Sequence, residues 1–296
     1  MINGIDVSHH NNMDWTYIQS LNLTQNLYFA FLKVSEGVGA IDAEFPGNRL
    51  GSGAAGLFGG GYHFFIPTID AVQQADVFCD CIGQIKPGEL PPVVGIEWNK
   101  IVNKAGVVTR TEHWKEIGAA QRITVTKAFL DRVESRLGVK PIIYTAVSFW
   151  NEFIVNPNHA ADYAFFVDYP LWLVNLQGGT APPVPWGITT LVQNHFGEKA
   201  PKGASAFEKL DHDFFNGGLR GLLAFAARGK VFAKKHPVSA IVRDFQQALK
   251  SLGFYAKPLD GDFGKNTEKA VTDFQNHVGL PSTGQIDEIT WKMLIP

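Results

Sequence analysis

Five acids stand at or near the ends of short apolar runs, and they set the chemistry to look for. They are Asp6 in Gly4-Ile5-Asp6-Val7-Ser8, Glu36 in Lys33-Val34-Ser35-Glu36-Gly37, Glu97 in Val93-Val94-Gly95-Ile96-Glu97, and Asp211 and Asp213 in Leu210-Asp211-His212-Asp213-Phe214. Tyr62, Tyr144, Trp98 and Trp172 accompany the same runs. Carboxyl groups can protonate a glycosidic oxygen and stabilise the cation left behind, and aromatic faces pack against the C–H surfaces of sugars. The combination points to a carbohydrate cleft. Glu97 is the best candidate for general acid, because it follows the apolar run Pro91–Ile96 and precedes Trp98. A carboxyl at the mouth of such a strand is partly desolvated, which raises its pKa and keeps it protonated near neutrality. The competing reading is a salt-bridged structural glutamate at a rim. His9, His10 and His63 lack metal-ligand spacing, so neither metal nor other cofactor is expected, and His63 reads as a hydrogen-bonded support.

Something must bring residues so far apart in the chain together. Eight apolar, β-branched runs recur between helical patterns: Gly4–Ser8, Tyr28–Val34, Gly61–Phe65, Pro92–Glu97, Pro141–Thr145, Leu171–Asn175, Thr189–Gln193 and Leu210–Phe214. Such alternation builds α/β folds, and eight runs suit a (β/α) barrel, whose active site lies at the C-terminal ends of its strands. Helices are clear over Asp70–Ile85 and Gln121–Leu137, whereas the later strands follow one another with little room for helices. The expected barrel is therefore irregular. It spans residues 1–227, followed by a solvated linker over 228–238, whose Arg228, Lys230, Lys234 and Lys235 precede Pro237. Residues 239–296 change texture: Val242, Phe245, Leu249 and Leu252 sit at helical spacing, and two further helices follow Gly-rich turns. The chain thus reads as an α/β barrel with a small C-terminal three-helix domain.

Composition narrows the partners. A hydrophobic share of 45% excludes a disordered chain, and 26 basic against 28 acidic side chains give no footprint for nucleic acid. No run approaches the roughly 20 apolar residues of a membrane span, so no membrane insertion is expected. Met1–Asp6 lacks the basic and apolar regions of a signal peptide. The two cysteines, Cys79 and Cys81, read as small apolar residues of an amphipathic helix. A monomer is expected.

The tail carries Leu252-Gly253-Phe254-Tyr255, Asp260-Gly261-Asp262-Phe263-Gly264-Lys265-Asn266-Thr267, Ala270-Val271-Thr272-Asp273-Phe274-Gln275, Gly279-Leu280 and Thr290-Trp291-Lys292-Met293-Leu294. In that order these motifs resemble the peptidoglycan-binding domain type 1 family. The resemblance implies bacterial peptidoglycan as partner, with Tyr255 and Phe263 as contact candidates.

The barrel resembles glycoside hydrolase family 25 lysozymes through Gly4–Asn11 with Trp15, Phe29–Gly37, Gly61-Tyr62-His63-Phe64, Leu90–Val94, Pro141–Thr145, Pro170–Leu173, Gln193 and Leu210–Gly217. That resemblance implies a flattened barrel and hydrolysis of the β-1,4 bond between N-acetylmuramic acid and N-acetylglucosamine. Glu97 carries over as general acid and Asp6 and Asp211 as the other cleft carboxylates, while Tyr62, Tyr144, Trp172 and Gln193 would hold the sugars. The family's strand four ends Asp-x-Glu, but here Gly95 stands where the first acid belongs. Asp6 or Asp211 would then supply the missing charge, or a distant carboxylate would activate water, or the chain would be an inactive wall-binding pseudo-enzyme. Substrate assistance by the 2-acetamido group fits the first case. Action at the cell wall follows release from the cytoplasm, by phage-type lysis or as an injected effector.

Overall fold

All eight apolar runs become strands, and the ring they form closes on itself. A computed structural model of the protein describes residues 1–99, 101–102, 108–177, 179–197, 205–227 and 229–296. The first half comprises β1 (Ile2–Val7), α1 (Trp15–Gln25), β2 (Leu27–Glu36), β3 (Ala40–Ile41), α2 (Phe45–Ala54), β4 (Phe58–Phe64), α3 (Ala71–Ile82) and β5 (Val93–Gly95). A small antiparallel hairpin, β6 (Ile101–Val102) and β7 (Val108–Arg110), follows Glu97. The second half holds α4 (Ala119–Leu137), β8 (Ile142–Ala146), α5 (Val147–Phe153), β9 (Leu171–Val174), β10 (Leu191–His195), β11 (Asp211–Phe215) and α6 (Leu219–Ala226). The tail consists of α7 (Ala240–Ser251), α8 (Lys265–His277) and α9 (Glu288–Leu294).

The sheet order β1-β11-β10-β9-β8-β5-β4-β2, with β1 pairing back to β2, makes an eight-stranded closed barrel. Most neighbours run parallel, but β11 is antiparallel to both β10 and β1. The irregularity expected from the crowded later runs therefore ends in one reversed strand. β2 shows why the runs are so apolar: Leu27, Phe29, Phe31, Leu32 and Val34 are all buried, since a barrel strand is covered inside by the core and outside by helices.

Helix boundaries follow local chemistry. Asp14 caps α1 by accepting from the Thr16 and Tyr17 amides, and Asp70 caps α3 through the Gln73 amide. α3 packs on α4 with Cys79 buried and Cys81 half-buried, as the helical spacing implied. Among the described residues no helix is long and apolar enough to cross a membrane.

The segment expected as a solvated linker is solvated at Lys234 and Lys235 but not throughout. Arg228 lies outside the described residues, but Phe232 is fully buried, its backbone paired with Ile286 and its ring set between Phe58 of the barrel and Phe245 of α7. An aromatic ring buries too much apolar area to remain in water when two domain surfaces can cover it. Polar contacts reinforce the joint. Tyr28 donates to Asp244 at 2.5 Å, the Ala240 amide donates to Asn22 Oδ1 at 2.6 Å, and Arg243 donates to the Leu23 carbonyl and to Asn26. Tyr28 and Phe58 stand at the entry ends of β2 and β4, so the tail docks on the end of the barrel opposite the strand C-termini.

Candidate active site

The parallel strands of the barrel deliver their C-terminal residues to one mouth, where a cavity of about 700 Å³ opens. Asp6, Glu97 and Asp211 line it together with Tyr62, Tyr144 and Gln193. Gly95 and Trp172 line it too. Of the residues expected at the site, these reach the cavity wall, while Glu36 and Asp213 do not line it. Nor does Trp98; it is exposed beyond the wall with its ring edge against Phe149, which corrects its place among the cleft aromatics.

The acids differ by environment. Burial pushes the Glu97 carboxyl up to about 8, with Glu36 and Asp211 adding to the rise and the Lys33 ammonium opposing it. Glu97 is therefore a proton-bearing acid at neutral pH, as its place after an apolar strand suggested. Asp6 is held well above the usual carboxylate range, first by burial and then by the charge of Asp211. It accepts from Gln193 Nε2 at 2.6 Å. Asp211 accepts from the Gly197 amide at 2.7 Å and from Gln193 at 3.4 Å.

Asp213, named among the candidate acids but given no catalytic role, completes the group; strand alternation places it on the face of Asp211 two residues away. It is 2% exposed, and its Oδ1 accepts from the Trp172 indole at 3.1 Å. Its Oδ2 is buried without a hydrogen-bond partner, and the charge of Asp6 acts on it. Two adjacent carboxylates cannot both ionise in such a place, so the pair holds a proton. Burial and the negative charges of Asp6 and Asp211 raise Asp213 well above its ordinary value.

The aromatic residues have structural duties as well. Trp172 is almost fully buried, stacks on Phe31 at 4.4 Å between ring centroids and meets Tyr144 edge-on at 4.8 Å. It forms the cavity floor and fixes Asp213. Tyr144 donates to Gln193 Oε1 at 2.6 Å. Burial and the neighbouring acids push both Tyr62 and Tyr144 upward, so both phenols stay neutral donors. Behind the wall His63 is fully buried, held to Ser35 at 2.9 Å and Gln74 at 3.3 Å; burial lowers it to about 4, which makes it a neutral support. Lys33, paired with Glu36 at 3.0 Å, also lines the cavity. Its signal was a lone cation in an otherwise apolar strand. Among the described residues no cluster of histidine, cysteine and acidic side chains could hold a metal ion.

In the tail, Tyr255 and Phe263 are buried, not surface contacts as expected. The Tyr255 hydroxyl donates to the Pro258 carbonyl and accepts from Gln246, which ties the turn to α7.

A proton-bearing carboxyl and an acid pair at the open end of an α/β barrel, in a cleft floored with aromatic rings, define a glycoside hydrolase. The profile of glycosyl hydrolases family 25 matches residues 5–190, and that of a peptidoglycan binding domain matches residues 239–294. The chain belongs to glycosyl hydrolases family 25, with a peptidoglycan binding domain at its C-terminal end. Uncharacterized protein YegX of Escherichia coli O6:H1 is 30% identical over 176 residues, 59% of this chain and 56% of that one. The chain thus matches little more than half the length of that relative. Lysozyme M1 of Streptomyces globisporus is 29% identical over 229 residues, covering 76% of this chain and 71% of the lysozyme. The bacterial lysozyme of Streptomyces coelicolor shares the fold with a TM-score of 0.63 at 24% identity, over 77% of this chain and 97% of that one. Gln193 and Asp211 lie beyond the residues matched by the family profile, yet line the same cavity as Asp6 and Glu97.

Proposed function

We propose that the protein is a muramidase that cleaves the β-1,4 bond between N-acetylmuramic acid and N-acetylglucosamine in bacterial peptidoglycan. The observation that carries this reading is Glu97: a carboxyl held protonated near neutrality on the wall of a cleft large enough for sugars. Glu97 gives its proton to the glycosidic oxygen as the bond to the anomeric carbon breaks. The carbonyl oxygen of the substrate's own 2-acetamido group bonds to that carbon, so no protein nucleophile is required. Asp6 and Asp211 stabilise the positive charge of the resulting ring, taking the part of the acid absent at Gly95. Glu97, now a carboxylate, accepts a proton from the water that opens the intermediate and is thereby restored. Tyr62, Tyr144, Trp172 and Gln193 shape the sugar site. The C-terminal domain holds the enzyme on the cell wall.

The test is mass spectrometry of soluble fragments from purified peptidoglycan, with the wild type and with Glu97→Gln. Fragments ending in reducing N-acetylmuramic acid, absent from the variant digest, are expected. Binding to the sacculus with no fragments from either protein would overturn the reading. It would favour the alternative raised by Gly95, an inactive wall-binding pseudo-enzyme.

A further inference from the structure

Gly95 ends β5, paired with Phe64 of β4 and Tyr144 of β8. Its φ is not positive, so the backbone there does not call for glycine. The space above it does. A Cβ placed on Gly95 would stand 2.8 Å from Glu97 Oε1 and 3.5 Å from the His63 carbonyl oxygen. The first distance is closer than a methyl group and a carboxylate oxygen tolerate. What fills the place of a side chain at position 95 is the carboxyl of Glu97 itself, folded back along its own strand.

We propose that Gly95 is a positioning residue: its missing side chain forms the seat in which the Glu97 carboxyl lies, so this site works through the glycine and not in spite of it. The proposal rests on Glu97 being the proton donor of the muramidase reaction proposed above. The atom in conflict is the far end of a flexible side chain. A substituent at position 95 therefore displaces the carboxyl instead of unfolding the strand, and the room available to it is the open cleft. There Glu97 meets water and loses part of the desolvation that keeps its proton on. The charged groups around it come from several elements: Lys33 and Glu36 from β2, Asp211 from β11 and Asp6 from β1, with the phenols of Tyr62 and Tyr144 alongside. A displaced carboxyl changes its distance to all of them.

The experiment compares the full-length wild type with Gly95→Ala and Gly95→Asp on purified peptidoglycan. It measures kcat and KM across pH, the thermal midpoint, and the ionisation of Glu97 by carboxyl-carbon NMR. The alanine variant is expected to melt with the wild type. Its kcat at pH 7 should fall by about tenfold to a hundredfold, as for a reacting group misplaced by about 1 Å, with KM little changed. Its Glu97 should titrate below the wild-type value. Gly95→Asp should lower turnover as well, although it puts back an acid. Turnover in either variant equal to or above wild type, with Glu97 titrating unchanged, would overturn the proposal. If the wild type itself cleaves no peptidoglycan, the muramidase reading fails first. The NMR titration then decides the seat separately: an unshifted Glu97 in Gly95→Ala overturns it and a lowered one supports it.

Discussion

Gln193 Nε2 donates to Asp6 Oδ2 at 2.6 Å, while Oε1 of the same amide accepts the Tyr144 hydroxyl at 2.6 Å. One side chain on β10 thereby fixes the orientation of an acid on β1 and a phenol on β8. The amide can serve both only in one flip state, with its nitrogen toward the carboxylate and its oxygen toward the hydroxyl. Gln193→Leu should remove one hydrogen bond from each of these two half-buried groups, at a cost of about 0.5–1.5 kcal/mol for each. The expected outcome is a lower urea midpoint together with lower turnover, measured by denaturation and fragment release. Unchanged stability and turnover would show that the amide bridge positions nothing.

The acid role of Glu97 carries a definite pH dependence. Its proton is present below about 8 and is lost above. A general acid works only in its protonated form, so kcat/KM should be flat toward neutrality and fall tenfold per pH unit well above that value. A pH–rate profile on soluble glycan fragments checks this. Loss of activity already at the ordinary carboxylate pKa would remove Glu97 from the acid role.

Asp213 predicts an effect on stability that needs no activity assay. Its folded-state pKa lies well above the value of about 3.9 for an unfolded aspartate. The stability tied to its protonated form is present in full below about pH 3.9. It is lost as pH rises toward the folded-state value, because only the unfolded chain then releases the proton freely. Asp213→Asn keeps an acceptor for the Trp172 indole and places beside Asp6 a group that cannot ionise. The variant should be more stable than wild type at pH 7 and should lose that advantage toward pH 4. Urea titrations at several pH values test it; a difference independent of pH would show that Asp213 holds no shared proton.

Phe232 tests whether the two domains form one structural unit. Phe232→Ala removes a ring packed between Phe58 and Phe245 and should cost about 3–5 kcal/mol. The loss should appear as lower stability of the barrel as well as of the tail, read by hydrogen exchange in β2 and α7. Exchange that rises only in the tail would mean that the barrel does not depend on the docked segment.

The sequence by itself determined the strands, the paired helices of the tail and the acids that face the cleft. Runs such as Tyr28–Val34 can be satisfied only inside an α/β barrel, and two-residue alternation puts Asp6 and Asp211 on the inner face. It also exposed Gly95 as the odd residue of its motif. Other relations belong to tertiary structure alone. Asp213 shares a proton with Asp6 because β11 runs antiparallel to β1 in the register that sets Gly4 opposite Asp213 and Asp6 opposite Asp211. The sequence pattern does not specify that register. The Glu97 carboxyl lies over Gly95 because of the direction its side chain takes, which a motif read as letters does not contain. Phe232, in a stretch that reads as a polar linker, is buried because two surfaces meet around it. In each case the deciding energy comes from groups far apart in the chain, and barrel closure and domain docking bring them within reach of one another.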